Sequence, residues 1–108
     1  MARLRFSASA KADLESIATY IAEQSGSRAT AQRFTGELRR KCADLAAAPI
    51  RMGRPRTELH PDLRSHPYKS YVILFRYVGT VLEIVNLIEG HRDIPALFGQ
   101  DEPPASEE

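Results

Sequence analysis

The sequence predicts an α+β domain in which an antiparallel helical hairpin packs on a small, mostly antiparallel sheet, in the order β-α-α-β-β-β. Three observations carry this. Apolar residues recur at helical spacing in two stretches, residues 10–21 and 31–45. Between them Ser25-Gly26-Ser27 ends one helix and caps the next. After Pro49 the pattern changes to short β-branched and aromatic runs.

Taken in order, residues 3–6 (Arg-Leu-Arg-Phe) alternate polar and apolar, as a short half-buried strand does. Ser7 or Ser9 then offers an N-cap. Ala10, Leu14, Ile17, Ala18 and Ile21 form one stripe of an amphipathic helix. Gly26 suits a left-handed C-cap, and Ser27 suits the N-cap of a second helix from about Arg28 to Ala48. In that helix Ala31, Phe34, Leu38, Cys42 and Leu45 make the apolar stripe, and Pro49 stops it. The short connection predicts an antiparallel pair. Cys42, lying on the stripe, reads as a small core residue rather than a nucleophile.

Residues 49–62 hold three Pro and one Gly and read as a loop with room for a short strand. Three β segments follow, from Leu63 to about His66, from Ser70 to Tyr77 and from Val81 to Ile88. Gly79-Thr80 is the length of a tight hairpin turn. The third segment has little polar surface, which predicts a central strand covered on both faces. One domain over 1–99 and a disordered acidic, proline-containing tail over 100–108 complete the division.

With 108 residues the chain has room for one core. A single cysteine excludes an internal disulfide and suits a reducing compartment. The longest apolar run, Tyr71-Val72-Ile73-Leu74-Phe75, is far short of the roughly 20 residues a membrane helix needs. The N-terminus lacks the apolar stretch of a signal peptide, so the expected location is the cytoplasm, without membrane contact. Four of the 14 acids fall in the last eight residues. The body through Gln100 therefore carries 15 basic against 10 acidic residues, a net +5. That balance suits acidic partners or an ordinary solvated surface.

No nucleotide-binding glycine motif is present, and His60, His66 and His91 lack metal-ligand spacing. No catalytic residue, metal or cofactor is therefore expected. What remains is a set of arginines at strand ends: Arg64, Arg76 and Arg92. Guanidiniums gathered at one end of a sheet could hold phosphate or carboxylate. Equally, each could pair locally, Arg76 with Glu83 across the hairpin and Arg92 with Asp93 or Glu89. Such cross-strand pairs add only about 0.2–1 kcal/mol, so they leave a binding role open.

The chain resembles the ParE branch of the RelE/ParE toxin superfamily of bacterial type II toxin–antitoxin pairs. The residues that carry the resemblance begin with Ala12-Asp13-Leu14, Ile17 and Tyr20-Ile21. Gly53-Arg54, Glu58-Leu59, Leu63-Arg64-Ser65 and Tyr71 to Arg76 follow. Gly90-His91-Arg92-Asp93 and Leu97-Phe98 close the series. No single motif is specific, but their order over about residues 3–98 is, and the family fold agrees with the β-α-α-β-β-β order.

The superfamily contains ribosome-dependent ribonucleases and poisons of DNA gyrase. At the positions where the ribonucleases resemble one another, two lysines fall near His60 and Asp62 and an early-strand arginine falls at Val72. A C-terminal tyrosine falls at Phe98, and only Arg92 matches. Attack by a 2′-hydroxyl needs a proton acceptor, a donor and phosphate stabilisation, and one arginine supplies only the last.

The resemblance therefore implies a toxin that inhibits DNA gyrase by binding and has no enzymatic activity. Its expected partner is a cognate, ParD-like ribbon-helix-helix antitoxin, giving a hetero-oligomer that meets operator DNA only through the antitoxin. Candidate target contacts are Arg54, Arg56, Arg64, Arg76, Arg92, Asp93 and Phe98, with Arg51 close to Arg54 and Arg56. Candidate antitoxin contacts are Leu14, Ile17, Ile21, Phe34, Leu38 and Tyr71. The alternatives are a ribonuclease with a rearranged site and a degenerate toxin kept as an antitoxin-binding co-repressor.

Overall fold

Five strands and two long helices are arranged, in the computed structural model, as β1 (Arg3–Phe6), α1 (Ala8–Ser25), α2 (Arg28–Ala47), β2 (Arg54–Pro55), β3 (Arg64–Tyr68), β4 (Tyr71–Val78) and β5 (Val81–Glu89). The structure describes residues 1–90. The tail at 100–108 and the candidates Arg92, Asp93 and Phe98 lie outside the described residues.

The sheet order is β1-β5-β4-β3-β2. Strands β2 to β5 pair antiparallel, whereas β1 pairs with β5 in parallel. The expected hairpin of helices is present, and its punctuation follows the side chains. Ser7 caps α1 by accepting from the Ala10 N–H, and Gly26 ends the helix at φ 70° with its N–H on the Ala22 carbonyl. Ser27 caps α2 by accepting from the Thr30 N–H at 3.1 Å. Ala48, just before Pro49, is already extended, as the residue preceding a proline should be.

The loop at 49–62 does contain a strand, the two-residue β2, so the order is β-α-α-β-β-β-β. Strand β3 also begins and ends later than the expected Leu63–His66 and runs through Pro67. Proline is tolerated there because β2 pairs only with Arg64 and Ser65, leaving the outer edge of β3 open beyond them.

The helices cover one face of the sheet. Leu14, Ile17, Leu38, Cys42 and Leu45 meet Ile73, Phe75, Leu82, Ile84 and Leu87 in the main core. Cys42 is fully buried, and burial pushes its thiol up to about 12. A smaller cluster on the opposite face joins Leu63, Leu74 and Ile88, with Leu59, Val72 and Val85 against it. The 56–63 loop thus shields part of that face. Strand β5, between β1 and β4, is apolar on both sides for this reason.

Strand β5 outruns β1, whose pairing ends at Phe6 opposite Ile84. Side chains continue the edge from there. The Ser7 hydroxyl donates to the Val85 carbonyl at 2.7 Å. The Asp13 carboxylate accepts from the Leu87 N–H at 2.9 Å and from the Asn86 amide at 3.1 Å. These contacts fall beside the irregularity where Leu74 pairs with Asn86 but Phe75 pairs with Ile84, so Val85 is an extra residue in β5.

Candidate functional site

Of the described arginines, Arg64 and Arg76 lie near the same end of the sheet but on opposite faces. Arg64 pairs in register with Phe75, whose ring lies in the helix-side core. Arg76, one residue on, projects from the other face, since successive side chains alternate. The sheet separates the two guanidiniums.

Each has its own partners. Arg76 donates to Glu83 at 2.9 Å, directly across the hairpin, and Arg5 reaches the same carboxylate from β1 at 3.3 Å. Glu83 is held between two cations on neighbouring strands, and its side chain is only 14% exposed. Of the two sequence readings for Arg76, the local pair is the one present. A cavity of about 340 Å³ lies beside this triad, lined by Ser7, Ser9, His60, Leu63, Arg76, Glu83 and Val85.

Arg64 turns onto the loop before β2. Its Nε donates to the Met52 carbonyl at 2.6 Å and its Nη2 to the Gly53 carbonyl at 3.1 Å. The Met52 N–H in turn donates to the Tyr77 hydroxyl at 2.8 Å. Gly53 sits against the Phe75 ring at φ 83°, where a Cβ would overlap that ring. Only glycine satisfies both the close approach and the left-handed backbone. The segment from Arg51 to Arg54 is therefore clamped from β3 and β4.

The clamp determines how the remaining arginines are displayed. Arg51 stacks its guanidinium 4.8 Å from the Tyr77 ring centroid. Arg54 and Arg51 are exposed, whereas Arg56 is half-buried, donating to the Ser65 hydroxyl at 2.8 Å and pairing with Glu58 at 3.3 Å. Of the sequence candidates, Arg54 is presented to solvent, Arg56 and Arg76 are shared with local partners, and Arg64 faces inward to hold the loop.

A second concavity, about 260 Å³, runs between α1 and the ends of β4 and β5, lined by Asp13, Ser16, Ile17, Tyr20, Tyr71, Leu87 and Glu89. Ile17 and Tyr71 form part of its wall, but both are mostly buried, at 6% and 7% exposure. Leu14 and Leu38 lie deeper still, in contact with the sheet. Those expected antitoxin contacts hold the hairpin on the sheet and offer little surface outside it. Ile21 and Phe34 are half-buried at the core margin, and the accessible ring is Tyr20, 50% exposed.

Phe34 stacks at 5.6 Å on Tyr71 and at 6.2 Å on Tyr68. Burial, then the charge of Glu89 and the neighbouring Tyr20, raises the Tyr71 phenol above its usual range. Burial and Lys41 lower His66, favouring the neutral imidazole. The Lys69 ammonium lies over both Phe34 and Tyr68 and pairs with Glu37 at 3.3 Å, holding this non-glycine residue at φ 54° in the β3–β4 turn. Sequence reasoning gave no role to Asp13, Tyr77 or Met52. Asp13 entered only among the residues that carry the resemblance, and its hydrogen-bond partners are more than seventy residues away.

Among the described residues no helix is long and apolar enough to cross a membrane, and no group of three or more His, Cys, Asp or Glu is placed to share a metal ion.

Comparison with known proteins adds the family. The chain is similar to Toxin ParE3 of Caulobacter vibrioides, with 34% identity over 56 residues, 52% of this chain and 55% of that toxin. The chain thus spans just over half that relative's length. A solved chain described as the chromosomal ParDE TA system from P. aeruginosa superposes with a TM-score of 0.72. That match covers 82% of this chain and 96% of the other at 22% identity, a likeness of fold. The family described as the ParE toxin of type II toxin-antitoxin system, parDE, matches residues 4–94. With that match running through both helices and every strand of the sheet, the chain belongs to the ParE toxin family of type II toxin–antitoxin systems.

Proposed function

We propose that this chain acts as a toxin by binding DNA gyrase and stalling it on cleaved DNA, with no reaction catalysed by its own side chains. The observation that carries the proposal is the ParE-family match over residues 4–94. The geometry supports it. A binding inhibitor needs a surface held in one shape, and the clamped segment displaying Arg51 and Arg54 is such a surface. The positions where ribonuclease relatives carry lysine and arginine hold His60, Asp62 and Val72. His60 and Asp62 are exposed on a loop, and Val72 packs against the smaller apolar cluster.

The proposal includes a cognate ParD-like antitoxin of the ribbon-helix-helix class. Its C-terminal segment would occupy the groove beside α1, where Tyr20 is the exposed aromatic and Tyr71 and Ile17 the partly covered wall. A hetero-oligomer follows, with operator DNA contacted through the antitoxin and the cytoplasm as the place of action.

Induction of the chain without antitoxin tests the reading in cells. Filamentation and a DNA-damage response, with protein synthesis continuing at first, are the expected result. Immediate translation arrest with cuts inside translated mRNA would contradict it.

A further inference from the structure

We infer that the loop from Pro49 to Arg54 is the surface that meets the target, and that its partner is an acidic patch on a protein with an apolar contact at its centre. The inference rests on the reading that the chain acts by binding, and adds which surface does so and what chemistry it recognises.

Three features converge on this loop. Residues 49–57 carry three arginines and no acid. The nearest acid in sequence, Glu58, is already paired with Arg56. Ile50 is 70% exposed. An apolar side chain flanked by guanidiniums suits a protein surface better than a run of phosphates, which would leave the isoleucine without a partner.

The third feature is rigidity. Arg64 holds the Met52 and Gly53 carbonyls, Tyr77 accepts from the Met52 N–H, and the Tyr77 ring lies under the Arg51 guanidinium. An exposed loop fixed at three successive residues loses little conformational freedom on binding, which raises affinity without new contacts. Arg51 is also oriented before its partner arrives, as two-pronged pairing with a carboxylate requires. Arg64 is in this account a positioning residue: it touches the loop, and the loop touches the target.

The test uses the full chain with Ile50→Ser, Arg51→Glu and Arg54→Glu, singly and combined. All three side chains are exposed, and unfolding and antitoxin binding are followed alongside. The readouts are growth arrest on induction without antitoxin, inhibition of purified gyrase, and affinity for bare duplex DNA. The combined variant should fold, bind antitoxin as before and need on the order of tenfold more chain for the same arrest. A charge-matched control, Arg28→Glu with Arg40→Glu on α2, should keep wild-type potency.

Arrest by the combined variant at wild-type levels would overturn the inference, as would equal loss in the control. Loss of bare-DNA affinity in step with loss of arrest would also overturn it, because the partner would then be phosphate. Loop-dependent arrest by a wild type that leaves gyrase untouched would support the surface and remove gyrase as the target. A wild-type chain without effect on growth would overturn both.

Discussion

The Arg64 guanidinium donates to the Met52 carbonyl at 2.6 Å, joining the start of β3 to a loop twelve residues earlier. With its second bond, to Gly53, this interaction shapes the approach to β2. Hydrogen bonds from a charged donor contribute about 1.5–3 kcal/mol each, and a carbonyl left without a donor costs more than the average bond. Arg64→Met is expected to destabilise the chain by about 2–3 kcal/mol in denaturant unfolding. Arg64→Lys, with one ammonium in place of a fork, should fall between. Unchanged stability in Arg64→Met would show that the loop does not depend on this side chain.

Gly53 and Gly79 both have positive φ, 83° and 59°, but only Gly53 has the Phe75 ring in the way of a Cβ. Gly79→Ala should cost about 1–2 kcal/mol from the backbone alone. Gly53→Ala adds overpacking and should cost about 2–4 kcal/mol. Equal losses at the two positions would mean that the close approach to Phe75 carries no energetic weight.

Asp13 holds the part of β5 that β1 does not reach. Asp13→Ala would leave the buried Leu87 N–H without its acceptor, at a cost of about 1–3 kcal/mol. Amide exchange at Leu87 should accelerate more than at Leu82, whose part of β5 pairs with β1. Asp13→Asn keeps an acceptor oxygen and should lose less. Exchange that rises uniformly along β5 would point to global destabilisation in place of a local cap.

Cys42 supplies a pH dependence. Burial raises the thiol from 9.0 to about 12, with Arg39 opposing weakly, so the folded chain keeps a proton that the unfolded chain releases first. Stability from this difference is complete below 9.0 and is lost as pH rises toward about 12. Cys42→Ala should flatten the alkaline fall in stability relative to the wild type, while costing some packing at neutral pH. Parallel alkaline profiles would show that other groups govern the fall. Alkylation of the folded wild type at pH 8 should be slow, since the thiolate is the reactive form.

The elements were legible wherever one stretch of chain carries its own signal. Periodic apolar residues marked both helices, and Gly26, Ser27 and Pro49 marked where they begin and end, because caps and breakers act on their neighbours. The parallel pairing of β1 with β5 was not legible, since it joins Leu4 to Leu82 and no local pattern selects that partner. The site was legible in composition and not in arrangement. A stripe such as Leu14, Ile17 and Leu38 looks the same whether it meets the chain's own sheet or a partner, and here it meets the sheet. Arg64, Arg76 and Arg92 read either as a set near one end of the sheet or as locally paired, and strand alternation places the two described ones, Arg64 and Arg76, on opposite faces. Arg76 with Glu83 was open to sequence reasoning because a hairpin brings them opposite. The acceptors of Arg64 are backbone carbonyls, which every residue carries, so nothing in the sequence singles them out.

The central claim is that this chain poisons gyrase by contact alone. The direct measurement incubates purified chain with gyrase and supercoiled plasmid, then adds detergent and protease to reveal cleaved DNA. The account predicts linear plasmid that increases with the chain, disappears when antitoxin is added first, and does not form when gyrase is omitted. Undiminished supercoiling with no cleaved DNA, at concentrations where the folded chain binds antitoxin, would contradict it.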